Sequence, residues 1–236
     1  MDRQIIAAGG GGFRMEPENL ALDRYCLAQC RKKRPSVCFI PTASAESLVY
    51  TLAFFDSYNT LDCVPSCLSL FRQPTADLES YLLEKDIIHI GGGNTRSMLA
   101  LWREWNLDKI LYKAWLNGVI LTGVSAGCIC WFEQGVTDSV PNNLTAMDCL
   151  GFLEGSCCPH YDGEVNRRPS THAMLLNNEL SPGYGLDNGV ALHFIGTELV
   201  AAVSSRPDAN AYSYAANGAQ VIETPLSVRY LEELTH

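Results

Sequence analysis

No apolar run in this chain comes close to the ~20 residues that span a bilayer, and the opening Met1-Asp-Arg-Gln-Ile5 lacks a charged-then-apolar leader. These absences predict a soluble, cytoplasmic protein without a membrane partner. A basic stripe is missing too: 17 Lys and Arg face 26 Asp and Glu, and the net charge of −9 repels nucleic acid. No repeat, low-complexity segment or linker divides the 236 residues, 47% of them hydrophobic, so one domain over residues 1–236 is expected. Such a domain buries roughly 70–75% of its unfolded surface. Zinc spacing is absent although cysteine is plentiful. Among ten cysteines no C-x-x-C pair recurs; Cys26 and Cys30 lie a helical turn apart, and Cys63 and Cys67 flank Pro65-Ser66. They read as buried small hydrophobes in a reducing compartment, with no metal and no disulfide framework. The adjacent Cys157 and Cys158 read the same way.

Glycine is abundant, but the dinucleotide fingerprint is not there. Gln4-Ile-Ile-Ala-Ala8 reads as an apolar strand entering Gly9-Gly-Gly-Gly12, yet the sixth position is Arg14 counted from Gly9 and Met15 counted from Gly10. A second junction, Ile87-Ile-His-Ile90 into Gly91-Gly-Gly-Asn-Thr95, has Arg96 at that position. Between them the periodicity predicts a helix capped by Asn19 and running to the basic Arg31-Lys-Lys-Arg34, and a strand at Val37-Cys-Phe-Ile-Pro41. A helix from Ala45 to Tyr58 and a strand within Asp62 to Leu70 follow. Helices through Met98 to Trp105 and Leu107 to Leu116 then precede the strand Val119-Ile-Leu-Thr122. This alternation predicts an α/β fold, a mostly parallel sheet with helices on both faces and its active site at the carboxyl ends of the strands. Asp138-Ser-Val-Pro-Asn-Asn143 reads as a loop and Ser170 to Asn177 as a helix. Short strands at Val190 to Phe194, Glu198 to Val203 and Tyr212 to Tyr214 are expected to finish the sheet.

The stretch around which these elements are organised is Gly123-Val-Ser-Ala-Gly127, a G-x-S-x-G pentapeptide between two apolar runs. In such an elbow the chain turns sharply from strand to helix, the serine is strained with its hydroxyl exposed, and the glycines avoid collision across the turn. Ala126 follows the serine and can offer its N–H to a developing oxyanion. The pentapeptide alone fits a plain glycine-rich turn equally well. Its base must come from five histidines. His89 and His193 lie in apolar strand patterns, His172 in a helix and His236 at the chain end. His160 lies in the polar turn Cys158-Pro-His-Tyr-Asp-Gly-Glu164 and is the candidate base.

In their order and separation, Gly91-Gly-Gly-Asn-Thr95, Gly123-Val-Ser-Ala-Gly127, Pro159-His160 and Gly185-Leu-Asp-Asn-Gly189 resemble the serine peptidase family of aspartyl dipeptidase and cyanophycinase, over nearly the whole chain. The resemblance implies a sheet related to class I glutamine amidotransferases, with serine in place of their cysteine nucleophile. It also implies no metal or organic cofactor, and hydrolysis of short peptides, often beside an acidic residue. Carried over, Ser125 is the nucleophile and His160 the general base, while Gly92 or Gly93 joins Ala126 in the oxyanion hole. Two departures stand out. Where the aspartyl dipeptidases carry a glutamate as third triad member, this chain places Asn188, with Asp187 one residue earlier; either can take the role. An amide lacks the charge that steadies the imidazolium, and in chymotrypsin-type triads the Asp-to-Asn change lowers the rate by ~10⁴. The arginine that reads the substrate's aspartate falls on Asn166, with Arg167 and Arg168 adjacent. Those two are candidates to pair with a substrate carboxylate, and Asp138 and Glu164 with a substrate amine.

Two other readings remain beside the peptidase. An α/β-hydrolase esterase shares G-x-S-x-G, but its acid precedes its histidine, whereas His160 precedes both acid candidates. A relative that kept the pocket but lost turnover, a peptide- or small-molecule-binding module, fits the asparagine. A homodimer is left open.

Overall fold

The strands and helices alternate as far as the elbow, and the computed structural model describes them over residues 2–72, 75–141 and 143–232; Asn142 and His236 lie outside these. The strands are β1 Gln4–Ala8, β2 Ser36–Ile40, β3 Val64–Cys67, β4 Ile87–Ile90 and β5 Ile120–Val124, each ending in a loop on the same side. The helices between and after them are α1 Gly12–Met15, α2 Ala21–Ala28, α3 Leu48–Tyr58, α4 Leu78–Leu83, α5 Thr95–Glu104, α6 Leu107–Leu116 and α7 Ala126–Ile129. Beyond the elbow come β6 Phe132–Val140, β7 Asn143–Asp148, β8 Leu153–Cys158, α8 Arg167–Leu176, β9 Gly183–Leu186 and β10 Val190–Ile195. The chain continues with β11 Glu198–Ser204, β12 Ala211–Asn217, β13 Gln220–Pro225 and β14 Val228–Tyr230.

Two sheets result. The larger has the order β14-β11-β10-β1-β5-β4-β2-β3. Its run from β1 to β3 is parallel throughout, β10 joins antiparallel to β1, and β11 is antiparallel to β10. The period-two alternation of buried parallel strands sorts side chains to two cores. Ile5, Ala7, Cys38, Ile40, Ile88, Ile90 and Leu121 meet Met98, Trp102, Leu111 and Trp115 on one face. Ile6, Val37, Phe39, Ile87 and Ile120 meet Phe13, Leu22, Phe54 and Tyr58 on the other. Helices therefore cover both faces, as the α/β reading expects.

The second sheet, β13-β12-β9-β8-β6-β7, is a departure from the sequence reading. Tyr212 to Tyr214 was expected to finish the first sheet but belongs to β12 in the second. The expected loop at Asp138 to Asn143 supplies the end of β6 and the start of β7, paired by Val140 with Asn143. Gly155, Gly183 and Gly185 lie in β8 and β9, where neighbouring backbone and the Tyr161 ring leave no room for a Cβ. Smaller differences are local. The helix expected from Asn19 begins at Ala21, whose N–H the Asn19 carboxamide accepts at 3.1 Å. It ends at Ala28, before the basic cluster. The helix expected from Ala45 begins at Leu48, because Ala45 and Glu46 have φ of 53° and 54° and Ser47 provides the cap.

Candidate active site

The elbow forms where β5 meets α7. A Cβ on Gly123 would run into Gly127 O, and one on Gly127 into Ile90 O, so neither position can hold another residue without moving the backbone. Ser125 sits between them at φ 57° and ψ −110°, held by its N–H to Ala8 O at 3.0 Å and by Cys128 N–H and Ile129 N–H to its carbonyl. A serine capping a helix ordinarily turns its hydroxyl onto the helix's own amides. Here it makes no such cap. Its Oγ lies 2.9 Å from His160 Nε2 instead.

His160 follows the end of β8 and also has a positive φ, 53°. Its backbone N–H reaches Gly9 O at 3.2 Å, which ties the base to the glycine loop after β1. Its Nδ1 lies 2.6 Å from Asn188 Oδ1. An amide oxygen only accepts, so Nδ1 carries the proton and Nε2 is left to accept from the serine. Asn188 is confined closely: a Cβ on Gly10 would overlap its Oδ1 and one on Gly163 its Nδ2.

Of the two candidates for third member, Asn188 is the one within hydrogen-bond distance of the imidazole. Asp187 is buried and its carboxylate accepts the Asn210 N–H at 2.9 Å. Burial raises the Asp187 carboxyl above its ordinary range, and the bond from Asn210 offsets that only in part.

The second glycine turn stands opposite. A Cβ on Gly92 would lie 3.8 Å from Ser125 Oγ, and Gly93 has φ 140°, a conformation for glycine. Gly92 N–H donates to the Tyr50 hydroxyl at 3.2 Å, while Gly93 N–H and Ala126 N–H have no acceptor among the described residues. Tyr50 gave no sign in the sequence, since it reads as one more apolar residue of α3.

The four charged candidates divide. Arg167, 3% exposed, donates to Glu164 at 2.6 Å and to Val136 O at 3.0 Å, and lies 3.6 Å from Asp138. It is thus a buried cation satisfied by two partly exposed carboxylates. Arg168 lies apart, stacked over Tyr161 and Tyr212 and paired with Glu223. Glu223 also takes His172 and the Tyr161 hydroxyl. The other described histidines have partners of their own: His193 bonds Tyr25 and Gln4, and His89 bonds Thr122 at 2.8 Å. All ten cysteines are free thiols, with Cys128 and Cys157 in contact at 3.7 Å.

The fold and this site define the class: an α/β protein whose elbow serine meets a histidine at the carboxyl ends of parallel strands. A family model described as Peptidase family S51 matches residues 5–201. The chain is 55% identical over 229 residues to the uncharacterized peptidase YgaJ of Bacillus subtilis (strain 168), covering 97% of this chain and 99% of that one. It is 25% identical over 173 residues to the uncharacterized peptidase Lmo0363 of Listeria monocytogenes serovar 1/2a (strain ATCC BAA-679 / EGD-e), covering 70% of this chain and 84% of that one. Two crystal structures share the fold at 19% identity. A peptidase from an acI-B1 Actinobacterium has a TM-score of 0.69, over 97% of this chain and 95% of that one. A putative peptidase E protein from Listeria monocytogenes EGD-e has a TM-score of 0.60, over 96% and 100%. The chain belongs to peptidase family S51, and it is a peptidase.

Proposed function

We propose that the chain is a serine peptidase that hydrolyses short peptides through an acyl-enzyme on Ser125. The observation that carries this is the line Ser125 Oγ, His160 Nε2, His160 Nδ1, Asn188 Oδ1, with spacings of 2.9 and 2.6 Å. His160 takes the hydroxyl proton as Oγ attacks the scissile carbonyl, then gives it to the leaving amine. Ala126 N–H and Gly93 N–H receive the oxyanion, with Gly92 as backing wall; each such donor is worth roughly 3–4 kcal/mol in the transition state. Asn188 fixes the tautomer, as a carboxylate would, but contributes a dipole in place of a charge.

Substrate preference follows from which charges are spoken for. Arg167 is enclosed by Glu164 and Asp138, and Arg168 by Glu223, so a preference for acidic residues through either arginine requires an ion pair to open first. Asp138, 64% exposed, and the exposed Glu164 share Arg167 but keep carboxylate oxygens open to solvent, where a substrate amine can meet them. The chain works as one cytoplasmic unit on peptides, without nucleic acid, membrane or cofactor. The asparagine favours one alternative, a relative that binds peptides without turning them over. A panel of dipeptides and tripeptides, free and N-acetylated, run on wild type, Ser125→Ala and His160→Ala, separates the two. Cleavage by wild type alone supports the peptidase, and saturable binding with no cleavage supports the alternative. Cleavage only of simple esters would point to an esterase.

A further inference from the structure

We propose that Asp162 is a positioning residue of this site: its carboxylate clamps the backbone of Asn188 and so the amide that orients His160, and it supplies the negative charge Asn188 lacks. The proposal rests on the serine peptidase reading and adds to it a residue outside the serine, histidine and asparagine.

Three consecutive amides hold the turn after β9. Asp187 N–H reaches Asn210 O at 3.1 Å, Asn188 N–H reaches Asp162 Oδ1 at 2.7 Å, and Gly189 N–H reaches Gly10 O at 3.1 Å. The outer two bind backbone carbonyls, which any sequence supplies. The middle one, on the residue that touches His160, binds a side chain.

Asp162 stands two residues after His160, on a turn closed by Gly163 N–H and Glu164 N–H to His160 O at 3.2 and 3.3 Å. One short turn therefore grips Asn188 twice, at its side chain through the imidazole and at its backbone through the carboxylate. If this bond is lost, the 2.6 Å contact to Nδ1 is held only by packing and by the bonds of the two neighbouring amides.

The charge matters as much as the geometry. When His160 takes the serine proton the imidazole becomes a cation, and an amide oxygen answers it with a partial charge. Asp162 is exposed, and no Lys or Arg among the described residues pairs with it. Among those residues no cation neutralises it, and it is joined through the Asn188 N–H to the residue whose Oδ1 meets the imidazole. Asp187, the neighbouring carboxylate, is buried and turned to Asn210.

Two variants separate the clamp from the charge. Asp162→Asn keeps an oxygen for the Asn188 N–H and drops the charge; Asp162→Ala drops both. The rate at which a fluorophosphonate labels Ser125 should fall about tenfold in Asp162→Asn and about a hundredfold in Asp162→Ala, in line with losing part or all of a charge-assisted bond. Both variants should still unfold cooperatively in urea, with only a modest fall in midpoint for Asp162→Ala, so that the slower labelling belongs to a folded site. Wild-type labelling rates in both variants would overturn the proposal, and a slow Asp162→Ala beside a wild-type Asp162→Asn would overturn the charge role. The downfield proton resonance of His160 Nδ1–H provides a readout that needs no turnover. It should weaken in Asp162→Ala and persist in wild type. An unlabelled wild type whose resonance still depends on Asp162 would sink the peptidase reading and keep the clamp; a resonance indifferent to Asp162 would sink the clamp.

Discussion

Replacing Asp23 by asparagine should change how stability depends on pH, and by an amount the structure sets. Asp23 is 3% exposed beneath the glycine loop after β1, with Tyr58 O–H donating to Oδ1 at 2.9 Å and no partner on Oδ2 among the described residues. Burial pushes its carboxyl from 3.8 up to about 7, against the opposing bond from Tyr58. His89 lines the same small cavity, and burial pulls its imidazole from 6.5 down to about 4. The signs oppose. Asp23 holds its proton more tightly folded than unfolded, so its contribution is full below 3.8 and is lost as pH rises through 7. His89 holds its proton less tightly folded, so stability rises with pH between 4 and 6.5. At about 1.4 kcal/mol per unit, the two slopes nearly cancel between pH 4 and 6.5, and above that Asp23 alone takes stability away. Asp23→Asn leaves only the His89 slope. Its stability relative to wild type should therefore gain about 4 kcal/mol between pH 4 and pH 8, an upper-end figure for fully buried groups. Urea unfolding followed by tryptophan fluorescence across that range measures it. A difference between variant and wild type that does not change with pH would mean that Asp23 does not carry a raised pKa in the folded protein.

Gly10→Ala should displace Asn188, because the added Cβ overlaps Oδ1, and lower kcat about a hundredfold with stability little changed; unchanged kcat would mean Asn188 is dispensable. Gly127→Ala should fail to fold or lose several kcal/mol in urea, since its Cβ meets Ile90 O. Arg167→Leu should cost about 2 kcal/mol, less than a fully buried pair because its carboxylate partners are partly exposed. If Arg167→Leu instead keeps its stability and raises KM only for acidic peptides, Arg167 reads substrate directly.

The parallel half of the fold was legible because its strands are buried on both faces. Runs such as Val37 to Ile40 and Ile87 to Ile90 are too short for a helix and are rich in β-branched residues, and Pro41 and Gly91 mark where they end. The second sheet was not legible. Its strands carry glycine at 135, 155, 183 and 185, or alternate weakly, as Asn143 to Asp148 does, and they are strands because neighbours in space pair with them. At the site, Ser125 and His160 could be read because an elbow and a lone loop histidine have local signatures. The choice between Asp187 and Asn188 could not, since it depends on which side chain the turn after β9 rotates toward His160. Asp162 left no trace for a similar reason: its partner lies 26 residues away in sequence. That Arg167 is buried against Asp138 and Glu164 could not be read either, because a buried arginine and a surface one look alike in a string of letters.

In the proposed reaction Ser125 is a nucleophile activated by His160. Intact-mass spectrometry after treatment with a fluorophosphonate tests it most directly. Wild type should gain one adduct, mapped to Ser125, while Ser125→Ala gains none and His160→Ala is labelled at least about a hundredfold more slowly. Folded wild type that takes no adduct, or takes it at another residue, would contradict the claim.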